Sequence, residues 1–167
     1  MKLKSLLLAA TLAFSSAAAL AAPVPTYIDV TVTGSGPTWT AEYGASHTAG
    51  DFIDVYTFLP SSVTGLTDIS FYNFARSTAF NITFTGAELS GVPIPYTNSG
   101  GVGFSFGGLI ADFTGPLVLT ISGTSGATGS YAGTLNVSAV PEPETYAMML
   151  GGLGLLGFMA RRRKQQG

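Results

Sequence analysis

The sequence has no cysteine, a single histidine, and charged residues at only 10% of its 167 positions. Without cysteine an exported chain has no disulfide staples, so its stability must come from a packed core. Thiolate metal sites are excluded on the same ground, and one histidine cannot build a multi-histidine site. No glycine-rich loop leads into a lysine, so P-loop nucleotide binders are also excluded. Gly103-Phe104-Ser105-Phe106-Gly107 has the Gly-x-Ser-x-Gly spacing, but it falls within an expected strand, Gly103–Phe113, rather than on a strand-to-helix turn, so no nucleophile-elbow hydrolase is expected. Basic charge is scarce along the middle of the chain. From Ala22 to Val140, seven carboxylates (Asp29, Glu42, Asp51, Asp54, Asp68, Glu88 and Asp112) face one cation, Arg76, for a net charge of −6. A body this acidic lacks the basic footprint of nucleic-acid binding.

The remaining cations mark the two ends. Residues 1–21 read as a secretory signal peptide. Lys2 and Lys4 form the positive start, Leu6 to Phe14 the apolar stretch, and Ala19-Leu20-Ala21 the small-x-small cleavage site. The cut is expected after Ala21, since a cut after Ala22 would leave Pro23 at the first mature position. The alternative is an uncleaved anchor. Export by this route implies the Sec translocon and signal peptidase as partners.

Between the ends, short runs rich in Val, Ile, Thr, Phe and Tyr recur, bounded by Gly, Pro, Ser and Asn. That pattern predicts an all-β fold, a single antiparallel sandwich of jelly-roll type over residues 22–139. Expected strands are Tyr27–Thr33, Thr38–Tyr43, Phe52–Leu59, Leu66–Phe74, Ala79–Gly86, Gly103–Phe113, Leu117–Ser122 and Ser130–Ala139. Val92–Tyr96 reads as an edge strand because Pro93 and Pro95 cannot donate to a ladder. The polar, glycine-rich stretch Gly123–Gly129 reads as a hairpin loop.

Alternation along Phe52–Leu59 places Phe52, Asp54, Tyr56 and Phe58 on one face. Asp54 then sits among aromatics and needs a hydrogen bond, an ion pair or an edge position. His47, flanked by small residues, reads as a solvated loop residue. Glu42, Asp51 and Asp54 are the carboxylates from which a hard-cation site could be built, but no Asp-rich loop supports one, and no metal or cofactor is expected. Trp39, Tyr43, Tyr72 and Tyr96 are the aromatics that could stack on sugar rings, or equally pack in the core. Asn81-Ile82-Thr83 and Asn136-Val137-Ser138 match the glycosylation sequon, which signifies little without a dedicated glycosylation system.

The last 28 residues, Val140 to Gly167, combine three elements in fixed order. Pro141-Glu142-Pro143 form a rigid, acidic, extended turn. An apolar, glycine-containing run follows, in which Tyr146–Ala160 predicts a helix of roughly 22 Å, short of the ~30 Å hydrocarbon core. Arg161, Arg162, Arg163 and Lys164 close the chain and are expected to hold that end of a short transmembrane helix on the cytoplasmic side. This order of parts resembles the PEP-CTERM sorting signal. The resemblance implies recognition of Pro141, Glu142 and Pro143 by an exosortase, transient residence in the inner membrane, and release to the cell surface or an extracellular matrix in organisms that make exopolysaccharide. Phe52-Ile53-Asp54-Val55-Tyr56 further resembles the signature of the FxDxF group of PEP-CTERM proteins, with Tyr56 where the group has a second Phe. The runs Gly115–Gly123 and Gly129–Leu135 resemble that group's final strands, with Pro116 as a departure.

Three functions stay open from the sequence. The first is a non-enzymatic surface or matrix protein with no catalytic residues, linked to exopolysaccharide or biofilm. The second is a carbohydrate-binding module for the organism's own polysaccharide. The third is a hydrolase, which lacks any recognisable nucleophile or metal constellation.

Overall fold

The computed structural model describes residues 22–35, 37–60, 63–139 and 143–164. The signal-peptide residues, including Ala19 and Ala21, and the motif residues Pro141 and Glu142 lie outside the described residues. Among the described residues nine strands lead to one α-helix: β1 (Thr26–Thr31), β2 (Thr33–Ser35), β3 (Thr38–Leu59), β4 (Val63–Ala75), β5 (Ile82–Leu89), β6 (Val92–Pro93), β7 (Tyr96–Thr97), β8 (Gly103–Gly115), β9 (Val118–Ser138) and α1 (Pro143–Lys164). One turn of 3-10 helix, Thr78–Phe80, precedes β5.

The chain is mostly β, as the sequence predicts, but its architecture differs from two separate antiparallel sheets. All nine strands join one hydrogen-bonded sheet, and β3 and β9, 22 and 21 residues long, run through both of its halves. The second half of β3 pairs with the first half of β9, which also takes β5 on its other side. Farther along, the first half of β3 pairs with the second half of β9, which takes β4, and β4 in turn takes β8. β1 lies parallel to β3, against the all-antiparallel expectation.

The two long strands double the sheet over on itself. Tyr43, from the first half of β3, lies with its ring centroid 5.1 Å from Tyr56 and 5.8 Å from Phe58 in the second half. Phe71 of β4 meets Phe84 of β5 at 4.8 Å. The core between the halves includes Phe58, Ile69, Ile82, Leu119, Ile121 and Leu135, all fully or almost fully buried. The bend has an identifiable cause. The β3–β9 register shifts between Thr48 and Gly50, and Gly50 has φ +126°, a conformation that favours glycine. A one-residue shift exchanges the faces of a strand. Ala41 and Tyr43 therefore point inward before the bulge, and Phe52, Asp54, Tyr56 and Phe58 point inward after it.

The stretch expected as a hairpin loop, Gly123–Gly129, is part of β9. Its small residues serve close packing, not a turn. A Cβ at Gly126 would run into the carbonyl oxygens of Thr78 and Ala79. Likewise Thr38–Tyr43 and Phe52–Leu59 are two halves of one strand.

α1 is longer than the expected Tyr146–Ala160. It starts at Pro143, whose fixed φ and missing N–H suit the first helical position, and it continues through the cations, which suit a helix C-terminus. Every side chain from Tyr146 to Met159 is exposed. The expected short transmembrane helix is a helix, but no helix among the described residues is long and apolar enough to cross a membrane. Polar residues at its start, four cations at its end and glycines at 151, 152, 154 and 157 dilute its apolar length.

Candidate functional site

The single histidine of the chain meets a buried carboxylate at the fold-over. His47, just before the bulge, and Asp54, after it, come together because β3 doubles back. His47 is a strand residue with 15% of its side chain exposed, not a solvated loop residue. Its ring stacks on Phe52, with centroids 3.9 Å apart and planes 7° apart. His47 Nε2 donates to Asp54 Oδ2 at 2.7 Å. The hydroxyl of Tyr131, from β9, donates to the same oxygen at 2.5 Å and lies 2.8 Å from the hydroxyl of Tyr56. Tyr56 is thus left to donate to Tyr131. Asp54 has the partners that its burial demands, although its Oδ1 has none among the described residues.

Burial dominates the electrostatics here. It pushes Tyr56 up to about 12, with the Tyr131 hydrogen bond opposing and the nearby Asp54 charge adding to the rise. Tyr131 is held far above the ordinary tyrosine range by burial first, and then by its hydrogen bonds to Asp54 and Tyr56. Tyr43 is raised by burial and by Tyr56, and its hydroxyl donates to the Ser70 carbonyl at 2.9 Å. These phenols stay protonated and act as donors.

Nucleophilic catalysis needs a hydroxyl or thiol held against the base, and among the described residues no serine or threonine hydroxyl bonds the His47 ring. The ring borders a depression of about 350 Å3 lined also by Ser46, Thr48, Phe80, Thr128 and Ser130.

The structure does not bring the three candidate cation ligands together. Asp54 faces the core, Asp51 is exposed and accepts from the Thr124 hydroxyl at 2.6 Å, and Glu42 is exposed on the first half of β3. Among the described residues no cluster of three metal-type side chains occurs. Phe52, Asp54 and Tyr56 are all buried, with contacts inside the fold. Asn81 of the first sequon is buried and its amide donates to Thr83 Oγ1.

Of the four aromatics considered for sugar stacking, Tyr43 is buried and Trp39 packs against the core, whereas Tyr72 and Tyr96 are exposed. The sequence reading missed the neighbours of Tyr72. Phe74, Phe104 and Phe106 are each at least half exposed on the same outer face. The signal was present: in Phe104-Ser105-Phe106-Gly107, alternation puts both phenylalanines opposite the small residues, and it is Ser105 and Gly107 that are buried.

At the C-terminal end, Pro143 opens α1, and Arg161 and Arg162 are exposed in its last turn, with Arg163 and Lys164 continuing the helix. Residues 139–164 match the model of the PEP-CTERM protein-sorting motif. That match implies an exported protein, associated with a membrane during processing by an exosortase. No curated protein matches the chain. Among solved structures, the pre-peptidase C-terminal domain of a collagenase from Bacillus anthracis superposes with a TM-score of 0.42 at 15% identity, over 68% of this chain and 98% of that one.

Proposed function

We propose that the protein is a non-enzymatic component of the cell surface or extracellular matrix, delivered by its C-terminal tail. The observation that carries this reading is the sorting motif at residues 139–164. The precursor is led into the Sec translocon by residues 1–21, and signal peptidase cuts after Ala21. The β body then folds in the periplasm, while Arg161–Lys164 stay cytoplasmic. Being marginal as a membrane span, α1 holds the precursor at the inner membrane only transiently, long enough to present Pro141, Glu142 and Pro143 to the exosortase. The released body acts in an exopolysaccharide matrix or biofilm and belongs with the FxDxF group.

Two features support the non-enzymatic part. The His47–Asp54–Tyr131–Tyr56 network holds the two halves of the sheet together, and among the described residues no serine or threonine hydroxyl bonds the His47 ring. The acidic side chains are scattered rather than convergent. The test is to replace Pro141-Glu142-Pro143 by three alanines and follow maturation in the native host by fractionation. Export and membrane association should persist while the unprocessed precursor accumulates. Processing at the wild-type rate would show that the motif is not what the protease reads.

A further inference from the structure

We propose that the outer face of β4 and β8 is a binding platform for an uncharged polysaccharide chain. The inference deepens the reading of the body as a matrix component. It concerns the body alone, so it fails or succeeds independently of how the tail is processed.

The platform is built by register. Tyr72 lies opposite Phe106, and Phe74 opposite Phe104. The Tyr72 and Phe104 rings lie within 18° of parallel at 5.7 Å, and Phe104 and Phe106 are 5.8 Å apart. All four side chains are 47–61% exposed. They are not core residues left at an edge, because the inward positions beside them on β8 are Ser105 and Gly107, both buried. The polar order of the strand is inverted, and a contiguous exposed aromatic patch of this kind marks an interaction surface. Aromatic faces carry partial negative charge, which complements the C–H faces of pyranose rings.

The surroundings choose among partners. Ser70 and Thr134, 3.1 Å apart through their hydroxyls, border the rings on one side. Beyond Phe74 lies a depression of about 340 Å3 lined by Arg76, Phe80, Thr128 and Ser130. Farther along the face, Asp68 sits opposite Ile110, and Asp112 opposite Leu66, all exposed. A second copy or another protein packed dry on this face would have to strip water from both carboxylates, which is costly without ion-pair partners. Sugar hydroxyls instead donate to carboxylates, exchange hydrogen bonds with serine and threonine, and accept them from arginine. A polyanionic chain or an anionic lipid surface would meet a body of net charge −6 whose single cation is Arg76. An uncharged, hydroxyl-rich chain fits the rings, the hydroxyls and the carboxylates together.

The test uses the full-length chain in a detergent without a sugar headgroup. It is titrated calorimetrically with neutral hexose oligosaccharides (β-glucan, mannan and galactan) and with a polyuronate of equal length. At least one neutral oligosaccharide should bind, with affinity nearly independent of salt, and the polyuronate at least several-fold more weakly. Tyr72→Ala and Phe104→Ala should each weaken binding by up to about tenfold. Val92→Ala, an exposed apolar position on β6, should leave it unchanged. Absence of binding to every neutral oligosaccharide, or tighter binding of the polyuronate, would overturn the proposal. So would concentration-dependent dimerisation that Tyr72→Ala and Phe104→Ala abolish, since the occupant would then be a second copy.

Discussion

Tyr131 is one aromatic among many in the sequence, yet its hydroxyl ties three elements of the network together. It donates to Asp54 and lies within hydrogen-bond distance of Tyr56, while its ring packs near Phe84 of β5. Tyr131→Phe keeps the ring but leaves a buried carboxylate with one fewer donor. It should cost roughly 2 kcal/mol, read as a lower denaturant midpoint with an unchanged slope. An unchanged midpoint would mean that the network carries no stability. The same phenols predict alkaline behaviour. Unfolded tyrosines lose their protons near pH 10, whereas Tyr56 in the folded protein does so only near 12, and Tyr131 and Tyr43 are raised further. Between those values the folded state holds more protons than the unfolded one, so stability falls as pH rises. It should be fully present below about pH 10 and decline from there through about pH 12, in thermal melts across that range. Flat melting temperatures over that window would contradict the buried placement of these hydroxyls. The need for a partner at Asp54 was legible, since a carboxylate within an aromatic face demands one. The partner His47 was not, because it becomes a neighbour only through the bulge at Thr48/Gly50.

At the scale of elements, alternation was readable and continuity was not. Period two alone groups Phe52, Asp54, Tyr56 and Phe58 on one face, and the structure shows that this is the buried one. The joining of four expected strands into β3 and β9 was hidden by glycine. Glycine normally punctuates strands, but in β9 it marks places where another chain segment approaches closely. Gly133 is the clearest case: a Cβ there would strike the Ser70 carbonyl of β4 and the Tyr43 ring. Gly133→Ala should therefore destabilise the protein by about 3 kcal/mol, at the upper end of overpacking costs, seen as a loss of several degrees in Tm. A neutral effect would mean that β4 and β9 are not as closely apposed as described. α1 was legible as a helix from its composition, but its ends were set by Pro143 and the cations rather than by the apolar run.

At the scale of the whole molecule, two parts carry separate information. The β body is acidic, doubled over on an aromatic core, and without a convergent catalytic group among its described residues. The tail presents a proline-led helix whose described side chains from Tyr146 to Met159 are all exposed and whose last turn is basic. Export with membrane-associated processing was the most legible property, since Pro141-Glu142-Pro143, the apolar run and the cations stand in order in the sequence itself. The outer aromatic face was less so, because exposed and buried phenylalanines look alike until strand register assigns their sides. The most direct measurement of the sorting account is the intact mass of the mature protein from the native host, compared with that from a strain lacking its exosortase. The account predicts that the wild-type protein lacks residues 1–21 and the apolar helix, and that the exosortase-deficient strain retains the helix. A mature wild-type protein with Ala147–Ala160 still attached, or loss of the helix without the exosortase, would contradict it.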